Sequence, residues 1–318
     1  MRTISLLSLG MLTLPAHAAL APHDGFSGTF SLLTGYTSTS SNLNADGEKT
    51  LHSLNHKADS DDKAFLAPLG NLAYTFGEQN QQQVYAGTMR DDLAIGTLAF
   101  QIGYKYQLAD GTIIDASIAP NLLSHDVWRN PYTVNQKRHK TDADVIAYRL
   151  KLDNIAGSPF SLDLAYAQLD IDHDDVTDRD LRREGDAYRV KAQYRYAISN
   201  TVYLQPAASY LHFDAKGKAS QYDQYGVDAT LIQVFERQQL ALTAGYATRD
   251  FERGSTTFNG RTRDDNEFRL FAAYEYEQPF DWQDWSLIAL GGYKKTDSNI
   301  RFYDSSEYLV SLGAKYEF

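Results

Sequence analysis

The sequence predicts an all-β fold: a transmembrane antiparallel up-and-down β-barrel of about 14 strands, with twelve and sixteen as the neighbouring counts. Three observations carry this. Apolar residues recur with period 2 along almost the whole chain. The alternating segments run to about 10–14 residues, longer than the usual strand of a soluble sheet and long enough for a tilted strand to cross hydrocarbon. Short turns alternate with long polar loops.

Residues 1–18 come first and read as an export signal rather than as part of the fold. Arg2 supplies a basic start, Ile4 to Leu14 an apolar stretch, Pro15 a break, and Ala16-His17-Ala18 an A-x-A cleavage site. A short buried helix at a cytosolic N-terminus would not need these features in that order. Cleavage is expected after Ala18, leaving one domain over 19–318. The chain holds no Cys, which excludes disulfides, thiolate metal sites, Cys nucleophiles and a lipoprotein anchor. The mean hydropathy of -0.45 and the lack of a long apolar run exclude membrane-spanning helices. The net charge of -11 argues against nucleic acid as a partner.

The strands then follow in order, near 26–39, 64–77, 82–90, 95–108, 112–123, 142–153, 160–170, 186–197, 201–213, 223–235, 238–250, 266–277, 285–296 and 306–318. In the first, Phe26, Gly28, Phe30, Leu32, Thr34 and Tyr36 share one face. In the fourth, Leu98, Phe100, Ile102, Tyr104 and Tyr106 oppose Gln101, Lys105 and Gln107. In the eighth, Tyr188, Val190, Ala192, Tyr194 and Tyr196 oppose Arg189, Lys191, Gln193 and Arg195. Segments 223–235 and 285–296 are apolar on both faces, so period 2 does not say which face of either meets lipid.

The connections 40–63, 124–141, 171–185 and 251–265 are long and polar, whereas those near 77–81, 109–111, 198–200 and 236–237 are short. Long loops are expected outside the cell and short turns on the periplasmic side; two outer connections, near 91–94 and 214–222, are short exceptions. Five downward strands end in aromatic-x-aromatic: Tyr74 and Phe76, Tyr104 and Tyr106, Tyr194 and Tyr196, Tyr274 and Tyr276, Tyr316 and Phe318. A ring with a polar tip is stable where hydrocarbon meets headgroups, and recurrence on corresponding strands predicts an aromatic girdle. Isolated cross-strand aromatic packing would explain one such pair, not five.

On these residues the chain resembles a Gram-negative outer-membrane β-barrel protein of porin-like type. The last strand (Tyr308, Val310, Leu312, Ala314, Tyr316, terminal Phe318) is similar to the signal that the barrel-assembly machinery reads. The start Phe26-Ser27-Gly28-Thr29-Phe30-Ser31-Leu32 resembles that of an uncharacterised proteobacterial family. The resemblance implies an outer-membrane location, lipid and lipopolysaccharide as surroundings, small solutes as cargo and a monomeric barrel.

No catalytic constellation is legible. There is no His-x-Ser, and Asp170, Asp172 and His173 only approach an Asp-x-His pattern. The Asp run at 170, 172, 174, 175, 178 and 180 lacks the glycine and glutamate of a calcium loop and is expected to be solvated. His52 and His56 lie in a polar loop, so no cofactor or metal is expected. The candidate site is the wall of the lumen. If even-numbered residues face lipid, the pore is lined by Lys105, Arg149, Lys151, Arg189, Lys191, Arg195, Arg269 and Lys315, against Asp115, Asp153, Asp163, Glu275 and Glu317. Two readings stand level. These charges brace the wall by pairing across strands, or their basic excess favours anionic or sugar-like solutes.

Overall fold

The computed structural model describes residues 20–88, 100–120 and 125–318. The export signal over 1–18 lies outside the described residues, as do the strand ends expected at 89–90, 95–99 and 121–123 and the connection at 91–94.

The chain is a closed antiparallel barrel of 14 strands. In order they are β1 (Gly25–Ser40), β2 (Ser60–Phe76), β3 (Gln82–Thr88), β4 (Phe100–Gln107), β5 in two pieces (Ile113–Ala119 and His125–Trp128), β6 (Lys140–Asp153), β7 (Phe160–Ile171), β8 (Gly185–Tyr194 with Tyr196–Ala197), β9 (Val202–Ala215), β10 (Tyr222–Val234), β11 (Gln238–Gly254), β12 (Thr262–Glu277), β13 (Trp285–Ser298) and β14 (Ser305–Glu317). Each strand pairs with its sequence neighbours, and β14 returns to β1 with Tyr316 opposite Phe30. Closure leaves no edge, so every wall amide and carbonyl can pair within the sheet, as hydrocarbon demands.

The outer face is apolar. Phe30, Leu32, Leu72, Ile102, Val190, Leu270, Val310 and Leu312 stand exposed on it. On twelve strands this face carries the even-numbered residues, but on β10 and β13 it carries the odd ones, including Tyr225, Val227, Trp285 and Leu287. The cause is register. Odd residues pair with even ones wherever β10 or β13 is a partner, as in Ser209 with Gly226 and Arg269 with Lys294. Elsewhere like pairs with like. These are the two segments whose faces period 2 could not assign.

The most completely buried apolar cluster lies outside the barrel wall, among the outer loops. Leu51, Val176, Leu181, Ala219, Phe258, Ile300, Phe302 and Tyr303 form one core, with Leu54 and Tyr132 packed against it. These residues come from the loops β1–β2, β5–β6, β7–β8, β9–β10, β11–β12 and β13–β14. Leu51 and Ala219 sit on hairpins eight strands apart one way round the ring and six the other, so they meet only because their loops cross the mouth. The loops therefore form a cap with its own core, where the sequence suggested solvated polar connections.

Polar ties hold the cap in place. The guanidinium of Arg138 stacks 4.2 Å over Trp128 and donates to the carbonyls of Asn42 (2.6 Å) and Glu48. Burial pushes its pKa down to about 10, which leaves it charged at neutral pH. Within the Asp run 170, 172, 174, 175, 178 and 180, Asp172 and Asp175 are exposed, while Asp174 and Asp178 depart from the solvated reading. Asp174 is buried against Arg183 (Nη2 at 2.6 Å), and Asp178 accepts from the hydroxyl of Thr256 (2.8 Å) and the amide of Thr257 (3.2 Å).

Candidate functional site

The wall charges meet across strands. One hydrogen-bonding row runs Lys105, Asp115, Lys151, Asp163, Lys191 over five neighbouring strands, β4 to β8, with the sign alternating at each step. Directly opposed side chains of unlike charge attract, and like charges in the same places would repel. Lys105 Nζ lies 3.8 Å from Asp115, which also accepts from the Tyr85 hydroxyl at 2.6 Å. Tyr85 reaches Asp115 by crossing Gly103, where a Cβ would stand 2.5 Å from the Tyr hydroxyl.

Asp163 is buried and shared by two guanidiniums. Arg149 donates from Nε (3.0 Å) and Nη2 (2.8 Å), and Arg189 from Nη2 (3.0 Å). Lys151 pairs with Asp153 on its own strand at 2.9 Å. Lys315 joins Glu275 (2.5 Å) and Glu317 (3.2 Å) toward the periplasmic end. Arg195 also points into the wall, with its Nε buried and unpartnered. Cross-strand bracing is thus present at Asp115 and Asp163.

A residue outside the expected lining completes the picture. Asp228, on β10, is buried beside Arg269 (Nη2 2.6 Å) and Lys191 (3.7 Å). It escaped the odd-face reading because β10 carries its inner residues at even positions. A small open recess is lined by Arg189, Lys191, Gln193, Gln205, Asp228 and Arg269, with Ala207, Thr230 and Thr243. Its charged lining counts three basic groups against one acid, 3 − 1 = +2, inside a chain whose net charge is -11.

Beneath the cap lies a second cluster that the sequence reading passed over. Arg263 forks onto Asp265 (2.9 and 2.6 Å), and Arg249 pairs with Glu267 and donates to Gln224. Arg263 also stacks 3.6 Å over Tyr303 of the cap core, so the cluster couples wall to cap. Its signal was available: Arg263 and Asp265 continue the inner face of β12 beyond residue 266, where the predicted strand began, and Glu267 stands on that face just inside it.

The candidate girdle residues lie near the rim of the short turns, on the outer face. Tyr74, Tyr104, Tyr106, Tyr194, Tyr196, Tyr316 and Phe318 are exposed, while Phe76, Tyr274 and Tyr276 are half-buried. Tyr74 packs on Phe26 (4.8 Å between centroids) and Phe76 (6.0 Å), and Tyr316 on Trp285 (5.2 Å) and Phe318 (6.3 Å). Among the described residues no group of His, Asp and Glu is arranged to hold a metal ion.

The sequence profile of a family described as "Protein of unknown function (DUF2860)" matches residues 25–317. No curated protein matches the sequence. Solved structures similar in shape include the outer membrane protein OmpT of Vibrio cholerae, at 9% identity and TM-score 0.45, covering 94% of this chain and 99% of that one. The outer membrane channel DcaP of Acinetobacter baumannii is 11% identical at TM-score 0.45, covering 92% and 98%. An anion-selective porin from Comamonas acidovorans is 10% identical at TM-score 0.45, covering 93% and 100%.

Proposed function

We propose, for a chain that belongs to the DUF2860 family of proteins of unknown function, that it is an outer-membrane porin-like channel passing small hydrophilic solutes with a preference for anions. One observation carries the reading: the luminal recess has a positive balance although the protein is acidic overall. Rings of basic side chains favour anions, and conduction needs no catalytic residue. The barrel sits in lipid by its apolar belt and periplasmic aromatic rim, after export by the signal over 1–18. The last strand, ending at Phe318, is the segment offered to the assembly machinery. It also closes the seam, with Phe318 N–H donating to the Gly28 carbonyl at 3.0 Å and Gly28 N–H to the Phe318 carbonyl at 2.9 Å.

The cap favours a second reading, in which the barrel is a sealed, surface-binding body whose loops face a partner. Liposome swelling separates the two. Proteoliposomes that admit small sugars and organic anions support the channel; no flux of any solute supports the sealed barrel. Under a KCl gradient the channel reading expects a reversal potential on the chloride side, and clear cation selectivity would sink the anion preference.

A further inference from the structure

The lumen has two unlike halves that meet along one strand. On β4 to β8, β10 and β12 the inner face carries the charged residues described above. On β12, β13, β1 and β2 the inner face carries an apolar cluster: Leu33, Ile288 and Leu290 are buried, with the half-buried Phe65, Leu69 and Phe271 packed against them. Phe65, Leu69 and Phe271 keep part of their apolar surface open, and a ligand tail laid on it would remove that surface from water.

The seam is β12. Arg269 and Phe271 are two residues apart on its inner face and lean opposite ways. Arg269 crosses Gly245 toward Asp228 on β10, while the ring of Phe271 lies 3.2 Å from the Cβ position of Gly292 on β13. Arg269 is 45 % exposed and Phe271 is half-buried, so both present surface to the lumen. Successive same-face residues of a strand stand about 7 Å apart, and the opposite lean widens the gap between guanidinium and ring, which leaves room for a carboxylate and its ring or short alkyl tail to lie between them.

We infer that the lumen selects amphipathic organic anions: a small carboxylate whose charged head sits at Arg269, within reach of the excess positive charge of Arg189 and Lys191, and whose aryl or alkyl body lies on Phe271 and the apolar half beyond it. This rests on the channel reading and deepens it. Charge alone would accept chloride or acetate equally well, and the apolar half adds the discrimination. A guanidinium forks onto a carboxylate with two parallel hydrogen bonds, and the tail removes its own and the wall's apolar surface from water.

The test uses the folded full-length barrel in planar bilayers, with block of the KCl current by acetate, benzoate, cyclohexanecarboxylate and uncharged benzyl alcohol. Benzoate and cyclohexanecarboxylate are expected to block at concentrations about tenfold below acetate and benzyl alcohol, the factor that about 1.4 kcal/mol of tail burial gives. Equilibrium dialysis of the detergent-folded barrel against benzoate and acetate should show the same order, and it reads binding even where no current flows. Arg269→Gln should weaken both carboxylates, whereas Phe271→Gln should remove the advantage of benzoate and leave acetate unchanged. Current with equal block by all the carboxylates would overturn this inference and leave the channel standing. Absence of current together with tail-dependent binding would overturn the channel and keep the site. Equal binding of benzoate and acetate would overturn the site whatever the current does.

Discussion

Arg269 binds Asp228 across an intervening strand, with Nη2 2.6 Å and Nε 3.1 Å from one carboxylate oxygen. The strand between them carries Gly245 at the crossing point, where a Cβ would stand 2.3 Å from that oxygen and 2.6 Å from Arg269 Nε. Asp228 is the only acid lining a recess with three basic groups. Asp228→Asn keeps the shape and removes the compensating charge. The chloride-to-potassium permeability ratio should rise about two- to threefold, because a charged wall concentrates counter-ions in a narrow lumen. Reversal potentials under a KCl gradient measure it, and an unchanged ratio would place this recess off the ion path.

Asp163 offers the complementary case, a brace rather than a selector. It is 6% exposed and pairs with Arg149 and Arg189 together, one acid against two bases. Asp163→Asn leaves two guanidiniums facing a neutral amide in a mostly desolvated place, and breaking a buried pair from one side costs on the order of 3 kcal/mol. Urea unfolding of the barrel in lipid vesicles should show that loss. Because Arg189 is more exposed than Arg149, Arg189→Gln should cost less than Arg149→Gln.

Strand count and most of the described strand edges follow from period 2, because one face of every strand meets hydrocarbon; β2 and β12 begin four residues before the expected edge and β11 ends four after it. Parity does not follow from it. The connections on either side of β10 and of β13 shift the pairing by an odd number of residues, which only the register reveals, and this is what hid Asp228. The cap was illegible for a different reason. Leu51, Tyr132, Val176 and Phe258 are scattered through polar loops, and Ile300, Phe302 and Tyr303 form too short a run to read as a core. Their burial is created by closure of the barrel, which brings to one point loops distant in sequence. The bracing at Asp115 and Asp163 was legible because their partners lie on adjacent strands.

The cap predicts a separable unit of stability. Phe302 is fully buried among Tyr132, Phe258 and Tyr303, with centroids 5.0–5.7 Å away. Phe302→Ala should weaken the cap by about 3–5 kcal/mol, the usual cost of emptying an aromatic site. Amide exchange should quicken across 299–304, 255–261 and 50–54 while the wall strands keep their protection. Conductance should rise if the cap restricts the outer mouth; equal conductance would mean that solutes already bypass it.

Acid should loosen one side of the same cap. Hydrogen bonds from Lys140 and then Lys63 hold Asp46 down at about 2, against an ordinary 3.8. A carboxylate with a lowered folded-state pKa contributes stability that is complete above the unfolded value and disappears as the pH falls through the folded one. The window is therefore pH 4 to 2. Asp178 moves in the same direction through its bonds to Thr256 and Thr257. Exchange of the loop amides near 44–50 should accelerate over that range, and Asp46→Asn should remove the pH dependence while giving the loosened state already at neutral pH.

The three tryptophans report on the membrane boundary separately. Trp128 is 1% exposed inside the cap, where its indole N–H donates to the Asn44 carbonyl at 3.0 Å. Trp282 and Trp285 are 58% and 41% exposed at the periplasmic rim, where the aromatic girdle places the headgroups. In vesicles of lipids brominated near the headgroup, fluorescence should be quenched through Trp282 and Trp285 alone. Trp128→Phe should leave the quenchable fraction intact, and the Trp282→Phe, Trp285→Phe double variant should abolish it. Quenching that survives the double variant would put Trp128, and so the cap, against lipid.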